Sequence, residues 1–250
     1  MALRDQGARR LRPPLLYVSP DIFRASRQSR FHYAGKLAYA ESMRTRIYVD
    51  GFNLYYGCLK GQPLKWLNPF LLCRNLLPRN HVEHLRYFTA KVSARPNDPN
   101  QPVRQQTYFR ALGTVPEITT HLGHFLTHDV TMPDAAAWRQ GRYLPRQVVK
   151  TEEKGSDVNL ATWLLMDAMD NVFDCAVIIS NDSDLKEPIS LVRNRFKKAI
   201  GILNPQANVS QALRPLAHFI KPIRGGALAN AQFPAVLVDA VGQFQKPATW

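Results

Sequence analysis

Asp174 to Glu187, DCAVIISNDSDLKE, is the stretch that most limits what this chain can fold into. Cys175-Ala-Val-Ile-Ile179 is a short unbroken apolar run, the pattern of a strand covered on both faces in a parallel sheet. It stops at Ser180-Asn181-Asp182-Ser183-Asp184, and Leu185 to Phe196 then reads as a helix. In open α/β sheets the functional groups gather just beyond the carboxyl ends of strands. Two acids at such a point suggest a cation, or chemistry that uses one. The plainer reading is that Asp182 or Ser183 caps the helix.

The remaining segments supply partners for that strand. Arg46-Ile-Tyr-Val-Asp50 reads as a first strand, and Gly51-Phe-Asn53 as a turn into a helix through Leu54, Tyr55 and Leu59, with Asn53 as a candidate cap. Asn68 precedes a helix from Pro69 to Leu77, with proline at its first position. Strands are expected at Val82–Val92, Glu117–Phe125 and Lys198–Leu203, with a shorter one at Gln147–Lys150. Helices are expected at Arg104–Leu112 and at Asp157–Met169, where Val158, Ala161, Leu164, Leu165 and Ala168 share a face. Ser93 to Gln101 reads as a loop, and residues 127 to 146 as a loop or hairpin crossing the mouth of a site. A last helix is expected at Ser210–Phe219, followed by an extended tail through Gln232-Phe-Pro and Gln245 to Trp250. Alternating strands and helices imply an α/β fold: a three-layer α/β/α sandwich around a mostly parallel sheet.

Charge narrows the partners. Lys and Arg number 33 against 19 Asp and Glu, a formal +14. A field of that sign attracts polyanions, nucleic acid before all others. Eight of the bases and three of the acids fall in residues 1 to 42, which show no helical or strand period. That segment reads as a basic arm, as a disordered tail, or as sequence preceding a natural start at Met43, the reading preferred here. Setting it aside leaves 25 bases and 16 acids, net +9, so the polyanion argument survives. No apolar run is long enough to span a bilayer, and no apolar core follows the N-terminal charges as in a secretory signal. The three cysteines form no CxxC pair and suit a reducing cytoplasm.

Acids recur at the ends of core elements: Asp50 after the first strand, Asp157 at the start of a helix, Asp182 and Asp184 after the buried strand. Each one is also a plausible cap, Asp157 beside Ser156 most of all. Gathered at one sheet edge, such carboxylates would repel one another and rise in pKa unless a cation neutralised them. Oxygen-only ligation suits Mg²⁺ or Mn²⁺. With a basic surface, an ion so held points to phosphodiester hydrolysis. Asn53 is placed to hold a phosphate or a water, and Lys154 is the better phosphate contact among the cations.

Three blocks carry a resemblance. Ile47-Tyr-Val-Asp-Gly-Phe-Asn-Leu-Tyr55, Lys154-Gly-Ser-Asp-Val158 and Ile179-Ser-Asn-Asp-Ser-Asp-Leu185 resemble, in order and spacing, the signature blocks of NYN domains, within the PIN-like superfamily of metal-dependent nucleases. The similarity covers about residues 45 to 204, and the tail resembles extensions of bacterial members. It implies a PIN-like sandwich at 43–204 with a C-terminal helix and tail, 205–250, packed on it. It implies a ribonuclease acting on RNA with Mg²⁺ or Mn²⁺ held by Asp50, Asp157 and Asp182. Asp184 would support these acids, and Asn53, Lys154, Ser180 and Ser183 are the candidate substrate contacts. Many members have Gly and an aromatic where this chain has Asn181 and Leu185; every acid is kept.

His121, His124 and His128 suggest zinc, but alternate strand positions put the first two on opposite faces and no cysteine or glutamate stands at ligand spacing. Tyr55, Tyr56, Trp66 and Trp138 read first as core and second as platforms for unpaired bases. Two other functions compete. A DNA-processing site of the TOPRIM type would need Glu where Asp50 stands, and a non-catalytic RNA-binding or scaffold module would use the acids as caps. A homodimer is left open.

Overall fold

The computed structural model describes residues 43–250, so the basic segment 1–42 lies outside the described residues. Strand β1 (Met43–Asp50) runs into the one-turn helix α1 (Gly51–Leu54), which continues as a π-helical turn over Tyr55–Leu59. Helix α2 (Pro69–Leu76) starts at Asn68, whose side chain accepts from the Leu71 amide, as its Asn-Pro start predicts. Then follow β2 (Asn80–Ala90), α3 (Gln101–Gly113) and β3 (Ile118–Pro133). A short helix α4 (Ala135–Arg139) leads to β4 (Pro145–Lys154), and α5 (Ser156–Met169) precedes β5 (Cys175–Ile179). A 3₁₀ turn at Ser183–Leu185 opens α6 (Lys186–Asn194), and β6 (Ala199–Asn204) and β7 (Phe219–Pro222) complete the sheet.

The seven strands lie in the order β4-β3-β2-β1-β5-β6-β7. All neighbours are parallel except β3 and β4, which are antiparallel. This is the expected mixed α/β sandwich with a mostly parallel sheet. β1 is central, and the chain builds outward from it first through β2 and later through β5. That reversal opens a crevice at the carboxyl ends of β1 and β5.

Strand alternation divides two cores. Ile47, Val49, Val177 and Ile179 face one side and pack with Leu72, Leu112 and Trp66. Tyr48, Ala176 and Ile178 face the other and pack with Leu160 and Leu164 of α5 and Ile189 and Val192 of α6. All five residues of β5 have no exposed surface. Each large aliphatic so placed contributes about 1.5–3 kcal/mol. Beneath α5, the Asp167 carboxylate accepts from Arg86 at 2.9 Å through each oxygen and from the Tyr48 hydroxyl at 2.7 Å, which keeps a buried acid ionised and its pKa low.

Two segments differ from expectation. Residues 127–146 belong to a long hairpin: β3 runs to Pro133 and pairs with β4 from Pro145 to Lys154. The expected helix at 210–219 is replaced by a 3₁₀ turn, Arg214–Leu216, and by strand β7. Pro215 explains the change, since it has no N–H to donate and crowds the preceding turn. The chain then forms α7 (Gly225–Ala229) and a small hairpin of β8 (Val236–Asp239) and β9 (Gly242–Gln245). Trp66 anchors this tail. It is wholly buried, donates to the Pro234 carbonyl at 2.7 Å and meets the rings of Phe233, Phe244 and Trp250. No helix of the described residues is long and apolar enough to cross a membrane.

Candidate active site

Asp50 is where the sheet becomes a site. It ends β1, is 3% exposed and caps α1: its Oδ1 accepts from the Asn53 amide at 2.9 Å. Its Oδ2 accepts from Asn53 Nδ2 at 2.8 Å and from the Ser180 hydroxyl at 2.9 Å. The cap is therefore Asp50, and Asn53 is the residue that closes onto it. Gly51 is required here, because a Cβ would stand 2.8 Å from the Phe88 carbonyl oxygen. Asn53 spends its own oxygen on the Asn181 amide at 3.3 Å and on Gln206 Nε2 at 3.0 Å, tying the ends of β1, β5 and β6 together.

Ser180 links the two signature acids. Its hydroxyl donates to Asp50 and accepts from the Asp182 amide at 3.1 Å, and the residue is wholly buried. It is placed to position carboxylates, out of reach of solvent. Asp182 caps the 3₁₀ turn, its Oδ1 accepting from the Asp184 amide at 2.9 Å. So the capping reading holds in part for Asp182, while its second oxygen stays available.

Asp157 is different. Gly155, at φ 99°, starts α5 with no side-chain cap, and Glu153 reaches over to accept from the Ser156 amide at 3.0 Å and hydroxyl at 2.7 Å. Asp157 is thus not the cap, and among the described residues no donor bonds its carboxylate. Half-buried, it is pushed up to about 6, first by burial and then by the charges of Asp50, Asp182, Glu153 and Asp184. Burial likewise raises Asp50, opposed by its three hydrogen bonds and reinforced by Asp182. The acids therefore share one electrostatic environment.

These residues border a cleft of about 660 Å³. Asp50, Asn53, Asp157 and Asp182 line it, joined by Glu153, which sequence reasoning did not single out. Its signal is local: Glu153 lies three residues before Ser156, within bonding reach of the helix start. Gln206 was missed too, hidden two residues past the end of β6. Lys154 does not line the cleft; it lies half-exposed at 3.5 Å from Glu152, on the opposite pleat of β4 from Glu153. Ser183 and Asp184 are exposed outside the lining, with Asp184 acting on Asp157 through its charge. Of the long hairpin, Phe125, Thr151 and Glu153 border the cleft, and the residues 127–146 expected at its mouth are not among its lining. Gly123 makes room for Glu153, since a Cβ there would stand 2.3 Å from Glu153 Oε1. The same cleft is also lined by Lys65, Arg95 and Arg104 and by Tyr55, Tyr56 and Trp250.

His121 stacks on Phe88 with ring centroids 4.9 Å apart and contacts Trp163, whereas His124 and His128 are exposed. Burial and the neighbouring Arg86 push His121 down to about 4. Among the described residues no three Asp, Glu, His or Cys form a group that could hold a metal ion as they stand.

The NYN domain family matches residues 44–224. This chain belongs to the NYN family. The match spans every strand of the large sheet and all the acids of the cleft. Among curated proteins, this NYN protein is 33% identical over 245 residues to 6-hydroxy-3-succinoylpyridine 3-monooxygenase HspA of Pseudomonas putida, covering 84% of this chain and 76% of that one. Among solved structures, a protein of unknown function from Vibrio parahaemolyticus superposes with a TM-score of 0.51 at 17% identity, over 79% of this chain and all of that one; it shows the fold alone.

Proposed function

We propose that this NYN protein is a divalent-metal-dependent ribonuclease, hydrolysing RNA phosphodiester bonds at the carboxylates of the cleft. The observation that carries this reading is the convergence of Asp50, Asp157, Asp182 and Glu153 on one cleft at the switch point of the sheet. Burial raises both Asp157 and Asp50, and the charges of the neighbouring acids add to it, a repulsion that a dication would relieve. The three cysteines are free thiols, two of them buried, which suits work in a reducing compartment such as the cytoplasm.

The donor set fits Mg²⁺ or Mn²⁺. All candidate ligands are hard carboxylate oxygens. Asp50 uses three of roughly four acceptor directions, which leaves one on Oδ1. Asp157 has both oxygens available, and Asp182 one. Mg²⁺ keeps several waters and takes only one or two carboxylates plus substrate phosphate, so an open set of acids is enough to hold it. When bound, such an ion polarises the phosphate and lowers the pKa of water. The chain's own residues do the rest: Ser180 and Asn53 fix the Asp50 carboxylate, Glu153 holds the helix start that presents Asp157, and Gln206 holds Asn53.

The test is Asp182→Asn, assayed on pooled single-stranded and structured RNAs with Mg²⁺, Mn²⁺ or EDTA. Asn still caps the 3₁₀ turn, so the fold and its melting temperature should change little. Cleavage should fall at least ~10²-fold, about 2.7 kcal/mol of transition-state stabilisation. Turnover like that of the unmodified protein would sink the assignment.

The likeness to HspA favours a second reading, oxygenation of a hydroxylated pyridine carrying an acidic side arm. A cleft of about 660 Å³ lined by tyrosines and phenylalanines admits a small ring. Oxygen uptake on 6-hydroxy-3-succinoylpyridine, with no RNA cleavage in any metal, would select it.

A further inference from the structure

Hydrolysis at the acids leaves the basic and aromatic residues that also line the cleft without a role. Lys65, Arg95 and Arg104 line the cleft together with Asp98, which is paired to Arg104. Lys65 and Arg104 are partly buried, so their charges are screened less than those of surface cations. Helix α3 begins at the cleft, with Gln101 in the lining, and brings the positive end of a 13-residue dipole to it. Asp98 offsets part of this charge, and Lys65, Arg95 and the helix start favour a further anion beside it. Beside them Tyr56 is 59% exposed, edge-on to Tyr55 at 5.2 Å between centroids, with the Lys60 ammonium 5.0 Å over its ring. An exposed ammonium is a weak and displaceable cover. Both tyrosines sit on the π-helical turn Tyr55–Leu59, a local widening of the helix that recurs at functional positions.

We propose that these residues form a nucleotide subsite: Lys65, Arg95 and Arg104 hold a phosphate remote from the bond at the acids, and Tyr56 stacks the attached base. The inference rests on the nuclease reading and adds what that reading lacks, the part of the molecule that selects the substrate. A space of about 660 Å³ is of a size that encloses a drug-sized ligand, a nucleotide unit and not a duplex. A base stacked on Tyr56 must be unpaired, so the strand bound is single. The phosphate side of the subsite is salt-sensitive, while the stacking side tolerates any base.

The test is calorimetric titration of the full chain in EDTA with AMP, inorganic phosphate and nicotinate at low salt. EDTA removes any metal contribution, so the readout does not depend on cleavage. AMP should bind more tightly than phosphate. In Lys65→Ala/Arg95→Ala its Kd should rise at least tenfold, and in Tyr56→Ala the advantage of AMP over phosphate should disappear. With Mn²⁺, the double variant should cleave a short single-stranded RNA with raised KM and little change in kcat. AMP affinity unchanged in the double variant would overturn the subsite. Nicotinate binding at least as tightly as AMP would overturn the nucleotide assignment in favour of a small ring acid. AMP binding lost as expected, without RNA cleavage in any metal, would keep the subsite and reject the nuclease reading. Cleavage with AMP affinity untouched by the variants would do the reverse.

Discussion

Asp157→Asn should make the metal-free protein more stable at neutral pH, although it removes a candidate ligand. A carboxyl whose folded-state pKa lies above its unfolded one binds its proton more tightly when folded. Its stabilising contribution is then complete below the ordinary value of 3.8 and is lost as pH rises through about 6. At 1.36 kcal/mol per pH unit, the span from 3.8 to about 6 corresponds to ~3 kcal/mol of charge destabilisation. Asp157 is half-buried, and solvent screening reduces this to about 1–2 kcal/mol. Asn removes the charge with little change of shape and breaks no hydrogen bond, because no donor among the described residues bonds that carboxylate. For a chain of this size the gain is a rise of roughly 2–8 °C in melting temperature at pH 7.5 in EDTA.

The pH profile is the stricter measurement. The difference between the two proteins should be near zero at pH 4 and open between about 4 and 7. His121, pushed down to about 4, titrates in the same window with the opposite sign, but is present in both proteins and cancels. Mn²⁺ should then stabilise the unmodified protein more than the variant and close the gap, because ligand binding to the folded state adds to stability. A variant less stable than its parent in EDTA at pH 7.5, or a difference that does not vary with pH, would refute the shared carboxylate field.

Two further outcomes test the frame around the site. Trp66→Ala should cost about 3–5 kcal/mol in a urea melt, since it removes a wholly buried indole and orphans the Pro234 carbonyl it bonds. A chain beginning at Met43 should melt within a few degrees of full length, because β1 through β7 lie within the residues that remain; a large loss would place 1–42 in the fold.

Periodicity made the sheet legible where burial was two-sided. β5 is an unbroken apolar run because both faces are covered, and β1 and β6 flank it for the same reason. The signal failed where covering was partial. The arms of the β3–β4 hairpin carry His124, Leu126, His128 and Val149 outward, so polar and apolar residues alternate without a clean period. β7 was hidden by a different conflict: Ser210 to Phe219 has the composition of a helix, and Pro215 decides against one.

The site was legible by position and ambiguous by role, because helix caps and carboxylate ligands draw on the same residue types. Geometry separates them in ways that spacing cannot. At β1 the order is reversed from expectation, with Asp50 as cap and Asn53 as its clamp. At α5 the sequence offers Ser156-Asp157 as a cap, yet the bond comes from Glu153, across the turn at Gly155. That substitution is what releases Asp157 to face the other acids. The basic part of the cleft lining was illegible for a statistical reason: Lys65, Arg95 and Arg104 are three of 33 cations, and reach the cleft only through the loop before α3 and the segment after α1. A motif search can find acids at set spacings along one sheet edge. Cations brought together by loops are found only when the chain has closed around the cleft.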